Sequence, residues 1–462
     1  MTPIIEHYIE SHQKRFLEEL LALLRIPSVG ADPTCQAAMQ KAATYIKDHL
    51  VEAGADEAQL IQTAGQPIIY AEKMIDPLLP TILVYGHYDV QPADPLDLWD
   101  TPPFDPNIRQ GSIYARGAAD DKGQLFAQIK AFEVMVRTEQ LPCNVKFLIE
   151  GEEEIQSPNL APFLEKKENQ KMLQADVVLV SDTSMPSPDQ PVILVGLRGA
   201  MMFEITIKGP NRDLHSGSYG GVVNNPIHAL CTLLAHLRDD DQKITVPGFY
   251  HDVRTLSKEE RKSLVNDAFT PNTYQKDIGL QANVGEKGYN TIERLTIRPT
   301  LEVNGIWGGT IGKKKTVLPA TAHAILSMRL VPDQEWTTIQ HQFEEHIHHL
   351  AKTLPALAGT QVTIAKTAGS NALLIPSQSR SVQAMKKAFK DTWKGKPPLC
   401  MRHGASIPVL TTLHEKLDAE IALLGIGLDD DNIHSPNEKF GIENYLKGIA
   451  TIVDFYRNFV QS

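Results

Sequence analysis

Four segments of the chain are apolar at almost every position and end in acids or histidine. Residues 145–149 (VKFLI) run into Glu150, Gly151, Glu152, Glu153 and Glu154, and residues 81–85 (TILVY) into Gly86, His87, Tyr88 and Asp89. Residues 176–180 (DVVLV) run into Ser181, Asp182 and Thr183, and residues 420–426 (EIALLGI) lead through Asp429, Asp430 and Asp431 to His434. Short β-branched runs without period-two alternation predict strands covered on both faces, as in a parallel sheet. Between them the period becomes helical. Residues 3–24 put Ile5, Ile9, Phe16, Leu20 and Leu23 on one side, residues 36–53 stop at Gly54, and residues 123–137 space Leu125, Ile129, Phe132 and Val136 as a helix does. The expected fold is α/β: a mostly parallel sheet with helices on both faces.

From residue 196 the pattern changes. Residues 201–208 alternate like a strand with one wet face, followed by a helix over 226–237, strands near 295–304 and 320–331, a helix over 334–354 and a strand near 361–366. The order β-α-β-β-α-β predicts a ferredoxin-like α+β module. The run at 420–426 then resumes the first pattern, so the module is an insertion. Residues 1–195 and 369–462 are expected to form one discontinuous catalytic domain, and 196–368 a lid and dimerisation domain. His251, Arg254 and the charged stretch 257–267 read as a surface excursion of that module. Its first helix carries Ile227, Leu230, Leu233 and Leu234, a stripe that either faces a second copy or fills the module's own core.

Charge and cysteine usage narrow the function classes. With 45 basic against 56 acidic residues the net charge is −11, which argues against nucleic acid or an anionic membrane as main partner. The module also lacks the aromatic stripe of RNA-binding ferredoxin-like folds. The four cysteines are scattered, with no CxxC pair, as expected of thiols in a reducing compartment. The first helix mixes Glu6, Glu10, Lys14, Arg15, Glu18 and Glu19 into its apolar pattern, unlike a signal peptide, and no run reaches membrane-spanning length. A cytoplasmic protein is expected.

The acids at the strand ends carry the chemistry. Open α/β sheets place their sites at the carboxyl ends of the strands. His87, Asp120, Glu154, Asp182 and His434 are the candidate ligands, and two imidazoles with three carboxylates suit Zn²⁺, Mn²⁺ or Co²⁺ rather than a thiolate structural site. Two divalent ions would outweigh the three carboxylates by one charge, which a bridging hydroxide would neutralise, and a pair of ions needs a bridging ligand. Asp120, just before a helix N-terminus, is suited to that place. Asp89 can accept the other N–H of His87. Each residue alone has a plainer explanation: Asp121 as a helix cap, Asp182 as a cap within SDTS, His434 as part of a solvated acidic loop. The recurrence at strand ends favours a site. Which of Glu152, Glu153 and Glu154 does what stays open at this level.

The motifs resemble the dinuclear zinc metallopeptidases that include carnosinases, cytosolic nonspecific dipeptidases, aminoacylases, succinyl-diaminopimelate desuccinylase and bacterial glutamate carboxypeptidases. The carnosinase and nonspecific dipeptidase branch is the nearest. The matching stretches are Tyr85 to Pro92 (YGHYDVQP), Arg116 to Gly123 (RGAADDKG), Glu150 to Glu154 (EGEEE), Ser181-Asp182, Gly196 to Gly199 (GLRG), Asp213 to Gly217 (DLHSG), Arg329 to Pro332 (RLVP) and Ile433 to Glu438 (IHSPNE). The resemblance implies that His87 and Asp182 hold one ion, Glu154 and His434 the other, with Asp120 between them and a cis peptide before Asp121. It makes Glu153 the general base, His215 an oxyanion donor entering a partner subunit's site, and Arg329 the anchor of a substrate carboxylate. Gly404, Ala405, Ser406 and Ile407 fill the place of the family's substrate loop, where relatives usually have Glu-Gly-Gly-Ser and this chain has His403-Gly404-Ala405-Ser406. The implied activity is hydrolysis of a small peptide by a homodimer. An aminoacylase or desuccinylase, or a non-enzymatic metal-binding homologue, are the alternatives, and neither Glu153 nor any ligand is missing.

Overall fold

The computed structural model describes the whole chain except residues 264–274, 276, 277, 283, 311, 313, 314, 367, 368, 394, 395 and 462. The chain divides into two compact units: residues 1–195, 375–401 and 412–462 form the first, and residues 196–374 and 402–411 the second. The expected boundary at 369 therefore moves, because Ser370 exchanges both backbone hydrogen bonds with Ala200 and so follows the module's sheet. Residues 402–411, expected in the catalytic domain, belong to the second unit. There Ala405 accepts the N–H of Arg198, and the Arg198 guanidinium holds the Gly404 carbonyl.

In the first unit the sheet runs Glu57–Ile61, Ile68–Lys73, Asn144–Glu150, Thr81–His87, Val177–Val180, Glu420–Leu423, and then the first four residues of strand Val192–Leu197. Its four middle members are mutually parallel, and the flanking ones antiparallel. Every residue of Asn144–Glu150 is buried, which is why this strand shows no alternation. Helices Pro3–Leu24, Gln36–Ala53, Lys122–Arg137, Arg380–Thr392 and Ile442–Gln461 pack on one another. The first two have the expected bounds, and the first buries the expected side. Lys122–Arg137 is buried from Lys122 to Met135, polar residues included. Its Phe132 meets Phe147 edge-on at 5.3 Å, and truncating such a ring to alanine costs about 3–5 kcal/mol.

The strand expected over 420–426 stops at Leu423. Gly425 then passes so close to Thr183 that a Cβ would stand 2.0 Å from its Oγ1, and only glycine allows that approach. Beyond it Gly427–Leu428 pairs in parallel with Ser184–Met185, carrying the following loop toward the Asp182 strand end.

The second unit is an antiparallel sheet ordered Thr300–Gly308, Thr321–Leu330, Gly199–Lys208, Gln361–Lys366, with helices Pro226–Ala235 and Trp336–Thr353. Chain order and strand order together are those of a ferredoxin-like sandwich. Phe203, Ile205 and Ile207 meet Leu230, Leu233, Phe343 and Ile347 in its core. The helix stripe is thus spent inside the module, with Ile227 and Leu234 packed at its margin. The strand expected from 295 begins at Thr300, because residues Thr291–Thr296 are helical. Asn290 caps that helix by accepting the N–H of Glu293, and the Glu293 carboxylate accepts the N–H of Asn290. In the expected surface excursion, His251 is exposed and Arg254 pairs with Asp333 at 3.0 Å. A helix covers Lys258–Ser263, and residues 264–267 lie outside the described residues.

Candidate metal centre

The five candidate ligands come together in the first unit. His87 is the last residue of Thr81–His87, and Asp182 lies two residues beyond Val177–Val180. Glu154 sits in the turn Glu153–Ile155 that follows Asn144–Glu150, and Asp120 two residues before helix Lys122–Arg137. His87 Nε2 stands 3.2 Å from Asp120 Oδ1 and 3.8 Å from Asp182 Oδ2. His434 Nε2 stands 2.8 Å from Asp120 Oδ2 and 3.2 Å from Glu154 Oε2. These contacts make two ligand groups, His87–Asp120–Asp182 and Asp120–Glu154–His434, with Asp120 in both. The Asp120–Asp121 peptide is cis.

The donors fit divalent ions. His87 Nδ1 lies 3.1 Å from the Asp89 carbonyl and 3.3 Å from Asp89 Oδ1, an acceptor pair that holds the proton on Nδ1 and turns Nε2 inward as a ligand atom. His87 Nε2 and Glu154 Oε1 are buried without a hydrogen-bond partner among the described residues. Charge points the same way. Burial and the neighbouring Asp120 charge push Asp182 up to about 7. Burial raises Glu153 well above the ordinary carboxylate range, with Asp182 and Glu154 adding to it against His87. Asp120 is held well below that range: burial raises it, and the imidazoles of His434 and His87 beside it more than offset that. His434 is raised to about 10 by its hydrogen bonds to Asp120 and Glu154. A cluster that binds protons this tightly is short of positive charge, which bound cations supply.

The tertiary contacts separate the run of acids. Glu150 Oε1 accepts from Tyr85 (2.7 Å) and Ser157 (2.8 Å), so it ties down the returning loop. Both Oε atoms of Glu152 accept from Asn159 Nδ2, at 3.0 and 2.8 Å, and Glu152 belongs to neither ligand group. Glu153 and Glu154 receive their aim from Asp89, whose Oδ1 and Oδ2 accept their backbone N–H groups at 3.2 and 3.0 Å.

The remaining candidates lie in the second unit. Arg329 Nη1 donates to Ser406 Oγ at 2.7 Å, and Arg198 Nε to the Gly404 carbonyl at 2.9 Å. His215 is exposed, and its Nδ1 accepts the N–H of Gly217 at 3.1 Å, which leaves the proton on Nε2. Several supporting residues carry no local sequence signal. Gln91 Nε2 donates to Glu154 Oε2 at 2.8 Å. Gln124 Oε1 accepts the N–H groups of Ile426 and Gly427 (2.9 and 3.1 Å), and its Nε2 donates to Ala119. Gln124 shares its helix with the polar residues Gln128, Lys130 and Glu133, so the pattern along the chain does not single it out.

Comparison with known proteins adds independent findings. The profile of the peptidase family M20/M25/M40 matches residues 83–458. The Cys-Gly metallodipeptidase dug1 of Schizosaccharomyces pombe is 31% identical over 453 residues, covering 96% of this chain and 94% of the relative. The Beta-Ala-His dipeptidase of Homo sapiens is 30% identical over 472 residues, covering 98% and 92%. The crystal structure of the M20 family metallo-carboxypeptidase Sso-CP2 from Sulfolobus solfataricus superposes with a TM-score of 0.85 at 31% identity, covering 97% of this chain and 99% of that one.

Proposed function

The chain belongs to peptidase family M20/M25/M40 and is a metal-dependent dipeptide hydrolase; we propose that it works with two divalent ions, zinc first among them, and with Glu153 as the proton carrier. His87, Asp120 and Asp182 would hold one ion, and Asp120, Glu154 and His434 the other. The observation that carries this reading is the place of Asp120 in both ligand groups. When bound, such ions lower the pKa of water and polarise a carbonyl.

The chain's own residues do the rest. Glu153, raised by burial, takes the proton of the attacking water and delivers it to the leaving amine. Asp89 orients His87 and fixes the backbone of Glu153 and Glu154, so base and ligand move as one piece. Arg329, braced by Ser406, offers its fork to the carboxylate that ends the substrate. Gly404 belongs to the same loop. A second copy of the chain supplies His215 as an oxyanion donor, in a homodimer formed through the second unit. Exposed His215 and the exposed Tyr219 and Val222 beside it support that surface, whereas the helix stripe does not. No described helix is long and apolar enough to cross a membrane, and four free thiols fit a reducing cytoplasm.

A second reading is hydrolysis of the last residue from longer peptides, favoured by the likeness to Sso-CP2. Both readings use the terminal carboxylate. They part on length, so the test is a mass-spectrometric screen of dipeptides, longer peptides and N-acyl-amino acids with zinc and manganese. Dipeptide cleavage above the other two supports the first reading; N-acyl-amino acids alone would replace it with an amidase. Metal analysis should find two ions per chain, and Asp120→Ala should lose most of both.

A further inference from the structure

We infer that Glu438 is a positioning residue that locks the Asp120 loop to the His434 loop, so that the ligands Asp120 and His434 arrive as one preassembled unit. This rests on the two-ion reading above and goes beyond it, since Glu438 is a member of neither ligand group and reaches Asp120 only at its backbone N–H.

Glu438 is fully buried. Its Oε2 accepts from Arg116 Nη1 at 2.7 Å and from the Gly117 N–H at 2.9 Å. Its Oε1 accepts the N–H groups of Ala119 (2.9 Å) and Asp120 (3.1 Å). One carboxylate thus satisfies four donors, three of them backbone groups of the segment that presents Asp120. Only a side chain with two acceptor oxygens meets that demand. A glutamine would turn its NH₂ against one pair of donors and leave N–H facing N–H in a dry interior. The backbone adds to the clasp. The Glu438 carbonyl accepts the N–H of Ala115, and Lys439–Gly441 pairs with Ser112–Tyr114.

The other end of the clasp is the loop that carries His434. Asn432, His434 and Asn437 all hold left-handed backbone (φ 56°, 60° and 60°), a conformation that persists only where surrounding contacts enforce it. Asn437 is tied as well, accepting the Asp100 N–H at 2.9 Å and donating to the Leu98 carbonyl at 3.0 Å. The His434 side chain is 51% exposed, whereas His87 is fully buried at the end of a sheet strand. Strands therefore hold His87 and lead directly to Asp182. His434 depends on a strained loop, and Glu438 is the residue that couples that loop to Asp120. Loosening it should weaken the ion held by Asp120, Glu154 and His434 far more than the ion held by His87, Asp120 and Asp182.

The test is titration of metal-free wild-type protein, Glu438→Gln and Glu438→Asp with Co²⁺, read by calorimetry and by the visible cobalt spectrum. Wild type should take up two ions; uptake of one or none overturns the two-ion reading before any variant is examined. In Glu438→Gln one ion should bind nearly as in wild type and the other about 10–100-fold more weakly, with loss of its share of the cobalt bands. General destabilisation would weaken both alike, and Val145→Ala, a core truncation away from the clasp, provides that comparison. Equal weakening of both ions, or two ions bound with wild-type affinity, overturns the inference. Should Glu438→Gln fail to fold, Glu438→Asp decides: its carboxylate is one methylene short, and an unchanged affinity for the weaker ion would sink the clasp.

Discussion

Asp89 Oδ2 accepts the backbone N–H of Glu154 at 3.0 Å, while the other oxygen of the same carboxylate accepts that of Glu153. Oδ1 also lies 3.3 Å from His87 Nδ1, so one buried acid sets the aim of two proposed ligands and the proposed base. Asp89→Asn keeps the size but replaces one acceptor by a donor facing an N–H. Activity and metal affinity should each fall about 10–100-fold. Paired measurement of kcat and of metal dissociation constants checks this, and wild-type values for both would remove Asp89 from the assembly.

Glu153 and Glu152 are adjacent in sequence, and the proposed mechanism gives only Glu153 a part in proton transfer. Glu153→Gln should retain the ions and lose about 10²–10⁴-fold in kcat, because the proton relay is gone while shape persists. Glu152→Gln leaves the Asn159 contact possible and should change kcat little. Metal content and steady-state kinetics on both variants decide it; the reverse ranking would shift the assignment by one residue.

Glu150 predicts a pH effect on stability. Burial pushes it up to about 7 against the hydrogen bonds from Tyr85 and Ser157. Its folded pKa lies above its unfolded value, so the folded protein keeps a proton that the unfolded chain has released. Its contribution to stability therefore falls as pH rises from about 4.5 to about 7. Glutamine copies the protonated acid, since its oxygen can take both hydroxyl donors. The thermal midpoint of metal-free Glu150→Gln should fall less steeply across that window than that of wild type. Parallel slopes would mean that Glu150 ionises as an ordinary carboxyl.

The proposed homodimer has a direct test, motivated by exposed His215 in a unit that holds none of the five candidate ligands. Inactive His215→Ala and Glu153→Gln proteins are mixed under conditions that exchange subunits. In a composite site each heterodimer has one site with both residues intact, so up to about half of wild-type activity per heterodimer should return. Activity that stays at zero after exchange is demonstrated by mass spectrometry would rule out the composite site and place the action of His215 within its own chain.

Much of this protein was legible along the chain, because burial and period leave a local trace. The unalternating strands of the first unit, the helices at Pro3–Leu24 and Gln36–Ala53, and the ferredoxin-like order of the second unit all follow from the spacing of apolar residues. So does the choice of His87, Asp120, Glu154, Asp182 and His434 as a cluster, since acids and histidines recur where apolar runs stop. Other features depended on partners that no local pattern reveals. The helix at Thr291–Thr296 owes its start to a reciprocal cap, and the strand after Glu420 stops at Leu423, just before Gly425 crosses Thr183 at close range. The run Glu150 to Glu154 contains four chemically identical side chains. Only their donors distinguish them: Tyr85 and Ser157 for Glu150, Asn159 for Glu152, and Asp89 beneath the backbone of Glu153 and Glu154. Glu438 is the extreme case, with its guanidinium partner 322 positions away. A carboxylate's role is set by which N–H and O–H groups reach it, and folding alone brings those groups within hydrogen-bonding distance.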